Sequence, residues 1–219
     1  MTLVSQNDHR LDSNAAPGQQ VLLRNKKSVA EKSSRAGVVL FVHGATYAAS
    51  LSFDYSIDGV SWMDRMALDG FDCWAIDLLG YGGAGRPAAM DAPAADNPPV
   101  TDTADAEADV VRAIDYILAA TGNQELMLIG YSWGTAICGG VAATHGDKIS
   151  RLVLLGALWT NIEPGVVKVD GALGAYRLVD RAAAAARWVI GLDDAQITAV
   201  VPPGRIDNWV TAILASDPA

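Results

Sequence analysis

Cysteine is almost missing from this chain of 219 residues: Cys73 and Cys138 are the only two, too few for a disulfide scaffold. Both sit in apolar stretches and read as small buried residues, not as a bridge or a metal pair. No run reaches the roughly 18 uninterrupted apolar residues that a membrane span needs. Ala182 to Leu192 comes closest, and Arg187 interrupts it. Met1 to Asn14 carries Asp8, Arg10 and Asp12 where a secretory signal would have its apolar core. Basic residues are outnumbered, with 16 Lys and Arg against 25 Asp and Glu and a formal net charge of −9. Phosphate contacts need clustered Lys and Arg, so this balance speaks against a nucleic-acid partner; its service is to solubility. No tandem repeat is visible, and low complexity is confined to the alanine run at 182–186. A cytoplasmic protein with neither a nucleic-acid nor a membrane partner is expected.

What is abundant is apolar side chain and glycine: 51% hydrophobic residues and 21 Gly, the composition of a globular α/β protein with a buried parallel sheet. Residues 1–18 read as a tail ending in the Pro17-Gly18 turn, and Gln20 to Arg24 as a short strand before a basic loop, Lys26 to Arg35. Val38 to Val42 is an apolar, β-branched run that stops at His43-Gly44. A helix follows over Gly59 to Leu68, then a buried strand over Phe71 to Leu79. Ala88 to Val100 is a loop rich in Pro, Ala and Asp. Thr101 to Thr103 offers caps for a helix to about Ala120, closed by Gly122-Asn123. Leu126 to Ile129 is the next strand, Trp133 to His145 the next helix, and Arg151 to Gly156 a further strand. This alternation predicts a mainly parallel sheet with helices on both faces. Beyond Trp159 the pattern turns helical over Ala172 to Ile190, Asp193 to Val200 and Asp207 to Ala215.

Gly130-Tyr131-Ser132-Trp133-Gly134 matches G-x-S-x-G at the junction of a predicted strand and helix. In that setting Ser132 is the candidate nucleophile, raised on a sharp turn that needs glycine at 130 and 134 for want of room. Gly80-Tyr81-Gly82-Gly83-Ala84-Gly85 formally matches a dinucleotide-binding G-x-G-x-x-G. Arg86-Pro87 follows where a helix should begin, and the next strand ends at Ser132, not at an acid, so the match is set aside. Asp77 is expected to bond backbone N–H groups of that glycine turn. His145 ends a helix, His9 lies in the tail, and Glu163, Asp193, Asp194 and Asp207 read as helix starts and solvated surface.

Taken together, the strand ending His43-Gly44-Ala45, the strand ending Asp77-Leu78-Leu79-Gly80-Tyr81-Gly82 and the serine turn resemble the α/β-hydrolase superfamily in order and spacing, over residues 20 to 158. The Ser-Trp pair is similar to elbows of proline iminopeptidases and esterases. The resemblance implies an incomplete α/β-hydrolase fold: a tail at 1–18, a core at 19–158 and part of a helical cap at 159–219. It implies that Ser132 attacks an acyl carbon and that the backbone N–H groups of Trp133 and Ala45 form the oxyanion hole. His43, with Gly44, Gly130 and Gly134, supports that site. Neither a metal nor an organic cofactor is implied.

Hydrolases of this fold take their residues in the order Ser, acid, His, and here no histidine follows His145. The expectation is the N-terminal portion of a cap-bearing hydrolase of small ester, amide or other acyl substrates, inactive or poorly active by itself. Alternatives are a non-catalytic ligand-binding relative, a chain completed by another subunit, and a cofactor-free haloperoxidase-like enzyme. Arg151 to Gly156 would then be an exposed edge strand open to self-association.

Overall fold

The computed structural model describes residues 3–29, 36–158 and 172–216. Six strands form one sheet: β1 (Val4–Asp12), β2 (Gln20–Ser28), β3 (Gly37–Val42), β4 (Phe71–Asp77), β5 (Leu126–Tyr131) and β6 (Ile149–Leu155). Their order is β1-β2-β4-β3-β5-β6, with β1, β2 and β4 antiparallel in succession and β4, β3, β5 and β6 parallel. The mainly parallel sheet expected from the alternation of apolar runs is therefore present.

Its helices explain why both faces are dry at the central strands β3 and β4. Four precede the second compact unit: α1 (Ala49–Ser52), α2 (Trp62–Leu68), α3 (Thr103–Thr121) and α4 (Trp133–Thr144). Along β3, Leu40 and Val42 point to one face, where they meet Val110, Ile114 and Ile117 of α3 and Ile137 and Val141 of α4. Val39 and Phe41 point to the other, against Phe53 and against Met63 and Ala67 of α2. Each such side chain contributes roughly 1.5–3 kcal/mol by leaving water, so a strand apolar at every position fits only a two-faced core. Helix α3 begins at a capping box in which Asp102 and Asp105 exchange bonds with each other's backbone N–H, and it ends on Gly122 in the left-handed region at φ 71°.

Two expectations over the first 35 residues fail. Residues 1–18 are not a tail, since Val4–Asp12 pairs along its whole length with β2. Lys26 does not open a loop but continues β2, where its ammonium lies 2.6 Å from Asp54 and 2.7 Å from Asp64. Both segments are polar because a sheet edge and an ion-paired face tolerate charge, so hydropathy alone hides the strands.

The chain divides into two compact units, Met1–Tyr176 and Arg177–Ala219. The second holds α5 (Arg181–Ala186), α6 (Asp194–Val200) and α7 (Arg205–Ser216). Within it Trp188 and Trp209 meet edge to face at 5.1 Å, and Val210 and Ile213 are buried. The helix expected over Ala172 to Ile190 is confined to the alanine run of α5, which Asp180 caps through the Ala183 N–H. Trp159 and Glu163 lie outside the described residues. Among the described residues, no helix is long and apolar enough to cross a membrane.

Candidate active site

The parallel strands β3, β4 and β5 bring three loops to one edge of the sheet, because parallel neighbours all finish at the same end. Val42 is in register with Gly130, so the residues after β3 and those after β5 leave the sheet side by side. Ser132 stands on the second of these exits, between the end of β5 and the first residue of α4.

Its backbone is strained. Ser132 has φ 53° and ψ −117°, one of two non-glycine residues with positive φ among those described. Holding a side chain there costs on the order of 1–3 kcal/mol. The flanking glycines show why the turn closes only with this sequence. A Cβ on Gly130 would run into the carbonyl of Gly134 and come within 2.9 Å of the Cys138 sulfur. A Cβ on Gly134 would strike the Val42 carbonyl and stand 2.7 Å from that of His43. Gly130 and Gly134 thus let β5, α4 and the end of β3 pass at backbone contact.

The loop after β3 leans on the serine. A Cβ on Gly44 would lie 3.0 Å from the Ser132 Cβ. His43 itself is fully buried. The Leu78 N–H donates to His43 Nε2 at 3.1 Å, which requires that nitrogen to carry no proton, so Nδ1 holds the proton and donates to the Gly44 carbonyl at 2.7 Å. That carbonyl shares its peptide with the Ala45 N–H. Since the two groups of a trans peptide point in opposite directions, the His43 bond fixes where the Ala45 N–H is aimed. Ala45 is exposed. Its own carbonyl accepts from the Tyr81 hydroxyl at 3.2 Å, and the Tyr81 ring lies 4.6 Å from His43 and 6.4 Å from Trp133.

Trp133 opens α4, so its N–H belongs to the first turn and has no carbonyl within the helix. Its indole N–H donates to the Thr103 hydroxyl at 2.9 Å, anchoring the ring to the start of α3. The peptide that carries the Trp133 N–H presents the Ser132 carbonyl on its other side, and Thr135 holds it twice. The Thr135 N–H reaches it at 2.9 Å and the Thr135 hydroxyl at 2.6 Å.

The remaining polar residues singled out in the sequence do other work. Asp77 is buried, accepting from the Gly83 N–H at 3.0 Å, as expected for the glycine turn, and also from the Ala49 N–H at 2.8 Å. The glycine run at 80–85 spends its N–H groups on itself and on β2: Gly80 donates to the Gly85 carbonyl at 2.9 Å and Gly85 to that of Gln20 at 2.7 Å. A pyrophosphate cradle needs such groups free, so the structure agrees with setting that motif aside. His145 ends α4, about 20 Å from Ser132 at the rise of a helix, in a surface groove with Glu107, Arg112 and Thr144. His9 lies on β1 and takes a 2.9 Å bond with the Tyr116 hydroxyl. The bonds of the three histidines thus go to Leu78 and Gly44 for His43, to Tyr116 for His9 and to Thr144 for His145. Burial pushes the thiols of Cys73 and Cys138 well above the ordinary range, so neither is a nucleophile at neutral pH. Among the described residues no cluster of His, Cys, Asp and Glu has a metal-binding arrangement.

Thr135 escaped the sequence reading, while Thr103 figured there only as a helix cap and Tyr81 only within the glycine turn. Thr135 did leave a signal, a hydroxyl residue three places after a turn residue at a helix start, where such side chains bond back to the turn.

The model of the alpha/beta hydrolase fold family matches residues 37–187. No curated protein matches the chain. Among solved structures, an epoxide hydrolase from Vigna radiata is similar with 19% identity and a TM-score of 0.50, over 74% of this chain and 43% of that one. Potato (Solanum tuberosum) epoxide hydrolase I is similar with 20% identity and a TM-score of 0.50, over 73% and 42%. A thioesterase domain from the curacin biosynthetic pathway has 20% identity and a TM-score of 0.44, over 68% and 46%. The chain spans less than half the length of each of these structures, and at such identities the likeness is one of fold.

Proposed function

The chain belongs to the alpha/beta hydrolase fold family, and on that premise we propose that it is a serine hydrolase acting on a small ester, amide or other acyl substrate through Ser132. The single observation behind this reading is the strained Ser132, φ 53°, set on the turn from β5 into α4 with Gly44 against it. Strain at one polar residue, on a turn that glycines make possible, is what a fold retains to display a reactive side chain.

The choice of acyl over other electrophiles follows from the alcohol. Attack on an acyl carbon leaves an ester that water can hydrolyse, releasing the serine. Attack on an epoxide carbon would leave an alkyl ether, with no acyl centre at which water could discharge it. The epoxide-hydrolase likeness in fold therefore does not extend, in this reading, to the substrate. In the acyl reading, the Ala45 and Trp133 N–H groups are aimed at the oxyanion, and the helical unit at 177–219 belongs to a cap. Oxyanion donors matter because charge develops on the substrate oxygen only as the bond forms; loss of one lowers rates by about 10²–10³-fold.

With the bonds of His9, His43 and His145 made to other groups, Ser132 has no histidine base in this reading. An oxyanion site without its triad retains roughly 10³–10⁴-fold over water, so in this reading Ser132 without a base is a slow acyl acceptor. The same observation favours the second reading, a protein that binds an acyl compound without turning it over. A fluorophosphonate probe separates the two: labelling of the chain that disappears in Ser132→Ala supports the hydrolase, and an unlabelled chain supports the binder.

A further inference from the structure

We infer that Thr135 is a positioning residue that aims the Trp133 N–H and ties that aim to the segment leaving β6; the inference rests on the reading of Ser132 as nucleophile and of Trp133 as oxyanion donor. The Thr135 side chain is buried, with 3% of the residue exposed. Its hydroxyl makes two bonds whose directions are fixed. The Leu158 N–H donates to Oγ1 at 3.0 Å, so the oxygen is an acceptor there. Its one proton goes to the Ser132 carbonyl at 2.6 Å. Because the Thr135 N–H also donates to that carbonyl, one end of the peptide joining Ser132 to Trp133 is gripped by two donors. The other end is the Trp133 N–H. A peptide gripped at its carbonyl cannot rotate about its neighbours, and withdrawal of electron density by two donors makes its N–H a stronger donor.

The two oxyanion donors of the proposed site are thus held alike. Ala45 N–H is aimed through the Gly44 carbonyl by His43, and Trp133 N–H through the Ser132 carbonyl by Thr135. Each relay in turn accepts a backbone N–H, His43 from Leu78 after β4 and Thr135 from Leu158 after β6. Leu158 follows β6 by three residues, and the Ser132 N–H donates to the Leu155 carbonyl at 3.0 Å. The stretch Leu155 to Leu158 is therefore fastened to the elbow at both ends, once directly and once through the threonine hydroxyl. A displacement of Leu158 pulls a donor off Oγ1 and weakens the grip on the Ser132 carbonyl.

Thr135→Val keeps the shape and removes both side-chain bonds, Thr135→Ser keeps both bonds, and Thr135→Ala replaces the valine variant should that one not fold. Two readouts are taken on the full chain: hydrogen exchange of the Leu158 amide by nuclear magnetic resonance, and the rate and saturation constant of Ser132 labelling by a fluorophosphonate. Thr135→Val is expected to speed Leu158 exchange and to slow the labelling step about tenfold, less than outright loss of a donor, with an unchanged saturation constant; Thr135→Ser restores both. Labelling at the wild-type rate in Thr135→Val overturns the positioning role, as does slowed labelling that serine does not rescue. If wild type takes no label at all, the Ser132 reading falls and the role falls with it, a signature distinct from that of a labelled wild type matched by its valine variant.

Discussion

Gly44 lies against Ser132 so closely that a Cβ on the glycine would stand 3.0 Å from the serine Cβ and 3.2 Å from the Tyr131 carbonyl. Neither neighbour yields easily, because the carbonyl is backbone and the serine is fixed on a strained turn. Gly44→Ala must then push the 44–45 peptide, and with it the Ala45 N–H, by a few tenths of an ångström. Labelling of Ser132 by a fluorophosphonate is expected to fall by about 10²-fold, the usual result of misplacing a group at a reacting centre. Stability should drop by only about 1–3 kcal/mol, the typical cost of overpacking. A variant that labels at full rate would separate the loop after β3 from the chemistry.

Relief of strain offers a complementary check. At φ 53° and ψ −117° the Ser132 backbone is in a region that glycine enters without penalty. Ser132→Gly is expected to raise the urea midpoint by the equivalent of about 1 kcal/mol, the released strain exceeding the entropy that glycine adds to the unfolded chain. Labelling is lost at the same time. Ser132→Ala, which keeps the Cβ, should lose labelling without the gain in stability. Equal midpoints for the two variants would mean that the turn stores no strain at this residue.

How much of this was legible beforehand depends on what each residue answers to. β3, β4 and β5 are apolar at nearly every position because both faces are covered, and that run length is visible in sequence. Ser132, Gly130 and Gly134 were legible because sterics at a tight turn leave few residue choices. β1 was not, since its outer edge faces water and Asp8 and Arg10 there look like a tail. The longer helix expected at 172–190 failed for the opposite reason, an alanine run carrying propensity further than packing follows. Thr135 was hidden because its role is set by Leu158, a residue brought to it by the return of β6 and by nothing local.

Asp72 gives a pH dependence with a definite sign. Burial raises its carboxyl above the ordinary range, and the bond from Asn25, with the nearby Lys27 charge, offsets this only in part. A carboxyl whose folded value is raised binds its proton more tightly in the native state, so its contribution is fully present below the unfolded value and is lost as pH rises through the folded one. Ionised Asp72 therefore weakens the fold at neutral pH. Asp72→Asn, whose amide oxygen still accepts from Asn25, should have the higher urea midpoint at about pH 7, with the difference closing toward about pH 3. A midpoint difference that grows on acidification would reverse the sign and with it the assignment.

The far edge of the sheet leads to a prediction about association. β6 pairs with β5 on one side, and among the described residues no strand lies on the other. Leu152, Val153, Leu154 and Leu155 are 38, 47, 43 and 45% exposed, so consecutive residues on both faces of the strand meet solvent along with its unpaired backbone groups. An apolar edge of this kind is a template for a second strand, and in a solution of this chain alone the nearest partner is another β6. Sedimentation velocity of the 219-residue chain should show association that grows with concentration. Val153→Lys places a charge at the middle of the edge, where two copies would bring it against its own image, and should shift the population to monomer with little cost to the fold. A wild-type chain that stays monomeric at high concentration would mean that β6 does not pair in solution.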